Sequence, residues 1–367
     1  MEFLKFNLKY ARIFGYWHLD DNKYYRIFTY IQMSFMLLFL LSQLVYVIVN
    51  DVPFVALVRM IHIIFLPFLT MYRVIIWMQY EDRIRGMLKF IKGANFKNTD
   101  PIVLRAHKIA YNYSLFILGF PYLSVVITFG PVLQIILQQH SYENINLPFP
   151  TWMPFDSYQS GWKFGLTMLY QAHAYWTCGA CLTVVHVSTL SMMIKINAHF
   201  QLLADEIATI NVHEKHAEKK LDHYLQEYHN IYSVAKLIAD LNSLQWVGQI
   251  GPQAYSLCAA LILVALLPIN ESGSDIFLGM SALFDLFMYC FYGEQIFFHS
   301  SRVSVRLGEI DWYAGSKTFR QKFLTSIAVF APGITFKIGG FFVLRMETFI
   351  QIVRLSYSMY TVMSTFS

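Results

Sequence analysis

Long apolar runs dominate the chain and predict membrane-spanning helices. A helix needs about 20 apolar residues to cross the hydrocarbon core of a bilayer. The runs that meet this requirement are 27–49, 60–78, 109–138, 164–194, 246–269, 276–298 and 341–365. We expect Pro121, Pro131 and Gly251-Pro252 to kink the third and fifth helices without ending them, because neighbouring helices can satisfy the freed carbonyls. The pattern therefore predicts an all-α integral membrane protein with seven transmembrane helices.

Apolar residues continue at helical spacing beyond the fourth run and ahead of the fifth. Ile196, Phe200, Leu203, Ile207 and Ile210 follow one another at steps of three and four. A second series with the same spacing occupies 221–241, and the turn between the two series lies near 211–220. This spacing predicts that helices four and five extend as a hairpin beyond the membrane.

The C-terminal region contains two apolar runs and predicts a last helix split into two parts. The run at 323–330 is too short to cross a bilayer, and Ala331-Pro332-Gly333 and then Gly339-Gly340 separate it from 341–365. Proline and glycine are the residues that end helices. We therefore expect a short helix, an interruption and a spanning helix.

The predicted last helix carries a polar stripe, and Val362 lies beside it near its C-terminal end. The polar residues recur at steps of three and four, and they are Glu347, Gln351, Arg354, Ser358, Thr361 and Thr365. Ionisable groups at membrane depth are costly when they face lipid. Two interpretations remain open: a buried ion pair of Glu347 with Arg354 or Arg345, or a pore wall to which each of several subunits contributes one helix.

Composition and charge agree with a membrane bundle. The chain is 56% hydrophobic and 14% charged, with a mean hydropathy of +0.43. Of its 28 Lys and Arg residues, 22 lie in alternate loops on one side of the predicted spans. Because basic loops stay in the cytoplasm, the N-terminus is predicted to be cytoplasmic and the C-terminus extracellular. This orientation argues against a G-protein-coupled receptor.

Several motifs in the last 40 residues resemble the closing signature of insect odorant receptors. In order, they are Ala331-Pro332-Gly333-Ile334-Thr335, Gly339-Gly340-Phe341-Phe342-Val343-Leu344, Met346-Glu347-Thr348-Phe349 and Ser356-Tyr357-Ser358-Met359-Tyr360-Thr361. The chain departs from the family pattern at Lys337-Ile338 and at Arg345.

The resemblance implies a ligand-selective subunit of a heteromeric, odorant-gated, non-selective cation channel. Its expected partners are the family's shared coreceptor, a small volatile hydrophobic odorant, permeating cations and membrane lipid. Its expected location is the plasma membrane of olfactory sensory neurons. The last helix would line the pore, with a hydrophobic constriction at Val362 between Ser358 and Thr365.

The resemblance also implies a division of the chain into two parts. Residues 1–298 would form the ligand-binding bundle, including the cytoplasmic hairpin 195–244, and residues 299–367 would form an anchor helix and the pore-lining helix. Segment 302–330 would dock on the hairpin. The short turn in this hairpin argues against the coreceptor itself, which carries a longer insertion there. A gustatory receptor of the same superfamily is the nearest alternative, and a transporter is a more distant one.

A pocket in the outer halves of helices two, three, four and six is the predicted ligand site. Its candidate residues are aromatic, sulfur-containing or weakly polar, and they are Phe68, Met71, Tyr72, Phe116, Phe120, Ser124, Met168, His173, Tyr175, Phe284 and Tyr289. Tyr72 and His173 are the candidates for a polar contact with the ligand. The loop 147–156, rich in proline and aromatic residues, resembles the family's second outer loop, which lies over the ligand pocket as a lid. The alternative is an interfacial aromatic anchor.

No residue pattern points to an enzyme, a cofactor, a metal or a nucleic acid. The four cysteines fall in apolar runs and predict core packing. His213 and His216 lack the spacing of a zinc-binding helix, because Ala217 stands where the second histidine would be. Asn270 begins a glycosylation sequence in a predicted outer loop.

Overall fold

A computed structural model describes residues 2–15, 23–86, 99–139, 145–214, 216–330 and 333–364. Within these ranges the chain is mostly helical, which confirms the predicted class. The principal helices are α1 (Glu2–Ile13), α2 (Lys23–Val49), α3 (Phe54–Gln79), α4 (Pro101–Leu118), α5 (Phe120–Gln139), α6 (Gly161–Ile207), α7 (Ala217–Leu266), α8 (Ile269–Gly308), α9 (Lys317–Phe330) and α10 (Met346–Ser364). Two short strands, β1 (Lys337–Ile338) and β2 (Phe342–Val343), precede α10.

Six of these segments are long and apolar enough to cross a membrane: α2, α3, α4 with α5, α6, α7 and α8. They correspond to the first six predicted spans. The seventh predicted span, α10, does not reach the same hydropathy because polar residues recur on every turn. Its 19 residues give a helix about 28 Å long, so a membrane crossing by α10 stays a prediction.

Helix α6 is the centre of the bundle. In the most apolar 18-residue stretch of α6, 83% of the residues are buried, whereas the corresponding stretch of α2 has 22% of its residues buried. It packs against α1, α2, α3, α4, α5, α7 and α8. A helix that is apolar on all sides is expected at the middle of a bundle.

The third predicted span contains a break of one residue. Helix α4 ends at Leu118, Gly119 forms a turn, and α5 begins at Phe120. Pro121 lacks an N–H group and therefore suits the first turn of a new helix better than the interior of a continuing one. Gly119 keeps helical backbone angles, φ −75° and ψ −23°, and residues 101–138 form one candidate span, so Pro121 does not end the span. Pro131 and Pro252 lie inside helices.

The fifth predicted span also ends early. Helix α7 stops at Leu266, and Leu267 is extended, with φ −119° and ψ 151°. The residue before a proline is biased towards extended conformations, and Pro268 follows directly. Run 246–269 therefore overshoots the end of the helix.

Helices α6 and α7 form the expected hairpin, joined through 208–216. Helix α9 lies against α7, and Phe319, Phe323 and Phe330 are all at most 2% exposed. The rings of Phe330 and Tyr228 lie 4.1 Å apart. The predicted docking of 302–330 on the hairpin is observed in these contacts.

A β-hairpin occupies the interruption before α10. Lys337 pairs with Val343 and Ile338 with Phe342, and the turn between the strands contains Gly339 and Gly340. These glycines have φ of +58° and +83°, which side chains other than glycine rarely adopt. The glycine pair breaks the helix as predicted, but residues 341–345 belong to the hairpin and its exit, so the predicted start of the last helix at 341 was wrong.

Candidate ligand cavities and the polar face of the last helix

Two adjoining cavities lie inside the bundle between α3, α6 and α8. The first, of about 130 Å³, extends towards α7 and contains Arg73. The second, of about 140 Å³, extends towards α4 and α5 and is lined by Phe120, Phe277 and Phe284. We call them the arginine cavity and the aromatic cavity. They share a wall formed by Leu66, Tyr175, Leu182, Leu278, Ser281 and Asp285.

Helix α3 supplies one side of the arginine cavity through a single face. His62, Leu66, Leu69 and Arg73 recur at steps of four, three and four, which places them along one line of the helix. The opposite side comes from α7 and carries Gln249, Gln253 and Ser256. The arginine cavity is therefore apolar along α3 between its ends and polar along α7.

Arg73 is held at the inner end of this cavity. Its Nη1 donates to the carbonyl of Leu182 at 3.2 Å, and its Nη2 donates to Oε1 of Gln249. Asp285 lines the same cavity, and its Oδ1 lies 3.4 Å from Nε2 of His186. A cation and a carboxylate thus face one small space between apolar helices.

Polar contacts also link the helices near the end of the arginine cavity opposite Arg73. Arg59 and Asp275 form an ion pair at 2.8 Å between the second turns of α3 and α8. One turn further along α3, His62 hydrogen-bonds to Ser256 of α7. These contacts tie three of the surrounding helices together.

Four of the predicted ligand residues line a cavity. Phe120, Ser124 and Phe284 line the aromatic cavity, and Tyr175 lines both. Tyr175 also stands 5.0 Å, ring to ring, from Phe149 of the outer loop. Whether these residues bind ligand stays a prediction.

The other predicted ligand residues lie elsewhere. Phe68 and Phe116 point away from the bundle, with 50% and 62% of their surface exposed. Met71 and Met168 pack in other apolar clusters, and Tyr289 packs against the ring of His186 at 4.7 Å. The structure does not bring these five side chains to either cavity.

The two candidates for a polar contact have other partners. Tyr72 donates from its hydroxyl to the carbonyl of Leu244 at 2.8 Å. His173 lies 3.3 Å from Oε1 of Gln32 on α2. The polar groups that do face the arginine cavity are instead Arg73, His62 and their neighbours on α7.

On α10, the predicted polar stripe faces away from the rest of the chain. Glu347, Gln351, Arg354, Ser358, Thr361 and Val362 are all exposed. Thr348, Ile352 and Ser356 are buried on the opposite face, where Ser356 donates to the carbonyl of Ala254 at 3.1 Å. Thr365 lies outside the described residues.

These positions exclude the buried ion pair that was one interpretation of the stripe. The Glu347 carboxylate is exposed and accepts a hydrogen bond from Gln351 at 3.4 Å. Arg345 instead lies over the ring of Phe297, 3.8 Å from its centroid. The stripe is a surface of the single chain.

Comparison with known proteins decides the family. The family model described as "7tm Odorant receptor" matches residues 53–357, which is most of the chain. The chain belongs to the 7tm odorant receptor family. Two similar relatives are Odorant receptor Or1 of Anopheles gambiae, 21% identical, and Odorant receptor 33b of Drosophila melanogaster, 20% identical. These alignments cover 60% and 59% of this chain and only 60% and 58% of the respective relatives.

Solved structures agree with this receptor fold over nearly the full chain. The insect olfactory receptor OR5 of Machilis hrabei superposes with a TM-score of 0.83 at 12% identity, covering 99% of this chain and 97% of that one. The same receptor in complex with eugenol gives a TM-score of 0.84 at 12% identity, with coverage of 100% and 98%. The receptor described here is thus a multi-pass membrane protein with the fold of an insect olfactory receptor.

Sequence reasoning missed the receptor's most polar cavity residues although a signal for them was present. Arg73 and Asp285 are ionisable residues inside apolar runs, and such residues face a protein interior or a water-filled space far more often than lipid. Arg73 lies inside the apolar run 60–78 and Asp285 inside the run 276–298. The reasoning used for the ionisable residues of α10 therefore also points to Arg73 in α3 and Asp285 in α8.

The loop 147–156 of the receptor is bound to the bundle. Phe149 is 4% exposed, and its carbonyl accepts a hydrogen bond from Nε2 of Gln171 at 2.7 Å. The backbone N–H of Trp152 donates to the carbonyl of Ser42 at 2.9 Å. The loop therefore packs against α2 and α6, and its role as a lid stays a prediction.

The remaining chemical candidates have simple structural positions. All four cysteines are buried, free thiols. Among the described residues no group of three or more His, Cys, Asp or Glu side chains could hold a metal ion. The side chain of Asn270 lies outside the described part of the chain.

Proposed function

We propose that this receptor is the ligand-selective subunit of a heteromeric, odorant-gated, non-selective cation channel. The observation that carries the proposal is the exposed polar face of α10. A helix with this face has to meet water or protein at membrane depth, since Glu347 and Arg354 are costly to place against lipid. A water-filled pore surrounded by one such helix from each subunit meets that requirement.

The proposed partner is the family's coreceptor. Helices α6 and α7 are joined through the short segment 208–216, which favours a ligand-selective subunit over the coreceptor. We also propose the orientation given by the basic loops, with the N-terminus in the cytoplasm and the C-terminus outside. The site of action would be the plasma membrane of olfactory sensory neurons.

The domain division follows from the same proposal. Residues 1–298 would bind ligand, and residues 299–367 would anchor the subunits and line the pore. Helix α8 runs without interruption from Ile269 to Gly308. It therefore provides a rigid connection across the proposed boundary.

The proposed ligand is a small, mainly apolar volatile molecule held in the two cavities. Apolar side chains with a few polar groups are the usual lining of such sites. The outer loop would act as a lid through Phe149, whose ring touches that of Tyr175 in the shared cavity wall. Ligand binding would favour the open channel only by its higher affinity for that state.

The gate would lie near the outer end of α10. Val362 is exposed beside the polar stripe, so several copies would form an apolar ring in an assembly around a central pore. Such a ring closes a pore by excluding water and opens it when the helices move apart.

Whole-cell current is the test of this proposal. Cells would express the chain with and without the coreceptor and be exposed to a panel of volatiles. We expect reversible cation current that needs both chains and a volatile. Val362→Ala should raise the current without ligand, whereas the matched change Val305→Ala, on an exposed residue of α8, should not.

Two outcomes would contradict the proposal. Surface-labelled protein that stays silent with the coreceptor across a broad panel would oppose odorant gating. Ligand-evoked current that is equal in Val362→Ala, Val305→Ala and the unchanged chain would oppose the assignment of α10 to the pore.

A further inference from the structure

Helix α8 meets the two cavities on one side and the start of α10 on the other. Ser281 and Asp285 line both cavities. Glu294 accepts a hydrogen bond at 3.4 Å from the backbone N–H of Met346, the first residue of α10. Asp285 and Glu294 are separated by about two and a half turns, so their side chains leave opposite sides of α8 about 13 Å apart along its axis. Helix α8 therefore stands between the cavities and α10.

The face of α8 that carries Glu294 follows the entry and the first turn of α10. Phe287 lies on this face, and its ring is 5.6 Å from that of Phe349 in α10. Phe297 lies on it too, and the guanidinium of Arg345 is 3.8 Å from the centroid of its ring. Of these three contacts, the one through Glu294 is made to the backbone of α10. It therefore acts on the position of the helix itself.

A carboxylate suits the position that Glu294 occupies. The first N–H groups of an α-helix have no carbonyl of the same helix to bond. They also form the positive end of the helix dipole, which a nearby negative charge stabilises. The same turn is tied to β2 by Thr348, whose Oγ1 donates to the carbonyl of Val343 at 2.6 Å. Glu294 joins this turn to α8 as well.

Helix α8 is suited to carry a displacement from the cavities to α10. It runs without interruption from Ile269 to Gly308, and a packed helix moves as a rigid element. A ligand that shifts the cavity face of α8 therefore also shifts the opposite face. The backbone of α10 follows that shift only as far as the contacts between the two helices hold it.

We propose that Glu294 is the positioning residue through which ligand binding in the bundle reaches the pore-lining helix. Its carboxylate holds the N-terminus of α10 on α8, so a displacement of α8 moves α10. The side chain acts on channel opening and makes no contact with the ligand. The inference rests on the proposed function, because it takes the two cavities as the ligand site and α10 as the pore wall.

The contact itself is tested by hydrogen–deuterium exchange of the purified full-length chain without ligand. Glu294→Ala leaves the N–H of Met346 without this acceptor. Exchange in the first turn of α10 should therefore become about two- to thirtyfold faster, the effect of losing a helix cap. Glu294→Gln keeps an acceptor oxygen and should give a smaller increase. Glu309→Ala is the matched control, because this exposed glutamate pairs with Arg306 at 2.7 Å; it should leave exchange in α10 unchanged.

The effect on channel opening is tested by measuring current and binding separately. The current is recorded in cells with the coreceptor and divided by the surface label, using the volatile that evokes the largest current from the unchanged chain. Binding of the same volatile is measured as the rise in the unfolding temperature of the purified full-length chain. Glu294→Ala should lower the maximal current at least about twofold, at an unchanged concentration for half-maximal stabilisation. Glu294→Gln should recover part of the current, and Glu309→Ala should match the unchanged chain.

The outcomes separate this inference from the proposed function. Unchanged exchange or an unchanged maximal current in Glu294→Ala would overturn the inference. A higher concentration for half-maximal stabilisation in that variant would overturn it too, because Glu294 would then act on binding. Silence of the unchanged chain with the coreceptor would oppose the proposed function. The exchange measurement needs neither ligand nor current, so it would still decide whether Glu294 holds α10 on α8.

Discussion

Gly293 is the position where the structure makes the sharpest prediction about the link between α8 and α10. A Cβ added there would lie 2.4 Å from the carbonyl oxygen of Leu344 and 2.9 Å from its Cβ. Leu344 is 2% exposed, and its N–H donates to the carbonyl of Phe336 at 2.8 Å. The segment entering α10 is thus held between α8 and Phe336, the residue before β1. In Gly293→Ala one of these elements has to move.

Two effects of opposite sign determine how Gly293→Ala changes the free energy of unfolding. Alanine is favoured over glycine within a helix by about 1 kcal/mol. Inserting a methyl group into a filled space costs about 1–3 kcal/mol. Gly165→Ala in α6 is the matched control, because a Cβ there meets no atom within 4 Å. The difference in the free energy of unfolding between the two variants isolates the packing cost, about 1–3 kcal/mol. For a chain of this length that is roughly 1–4 °C in the unfolding midpoint.

The assay is thermal unfolding of the detergent-solubilised chain, with the unchanged chain and both variants measured together. We expect Gly293→Ala to have the lower midpoint of the two variants. Because Leu344 leads into α10, we also expect this variant alone to change the current without ligand. Equal midpoints for Gly293→Ala and Gly165→Ala would refute the argument that α8 fixes the position of this segment.

Three further substitutions test the anchor and the polar face. Phe330→Ala removes a fully buried ring that lies 4.1 Å from that of Tyr228. We therefore expect the free energy of unfolding to fall by about 3–5 kcal/mol. A fall of less than about 1 kcal/mol would mean that α9 contributes little to the stability of the fold. The ion pair of Lys322 and Asp222 is 2.6 Å long, but its side chains are 34% and 51% exposed. Reversing either charge should therefore cost less than about 1 kcal/mol, and the double reversal should recover it in a double-mutant cycle. Arg354→Gln removes a positive charge from the exposed face of α10 and should raise the permeability of divalent relative to monovalent cations. The measurement is the reversal potential of the current with divalent cations outside. An unchanged reversal potential would place Arg354 away from the permeation path.

The sequence by itself determined the helices, the long α6–α7 hairpin and the polar face of α10. Each of these depends on neighbours within a few turns. Periodic apolar residues define a helix and its buried face. The pair Gly339-Gly340 ends a helix because glycine has a freer backbone than other residues. The positions of Glu347, Gln351 and Arg354 on one face follow from their spacing alone.

Only the tertiary structure decided which residues surround the cavities. Phe116 and Phe120 are four positions apart in sequence and their rings lie 5.2 Å apart, yet Phe116 is 62% exposed and Phe120 lines the aromatic cavity. Arg73 and Asp285 meet the same space although they are 212 positions apart in sequence, since α3 and α8 pack on either side of it. Spacing fixes the relative directions of side chains within one helix, but the rotation of each helix about its axis is set by how all its neighbours pack. That rotation brings Arg73 into the cavity and leaves Phe68, five residues earlier on the same helix, on the outside of the bundle.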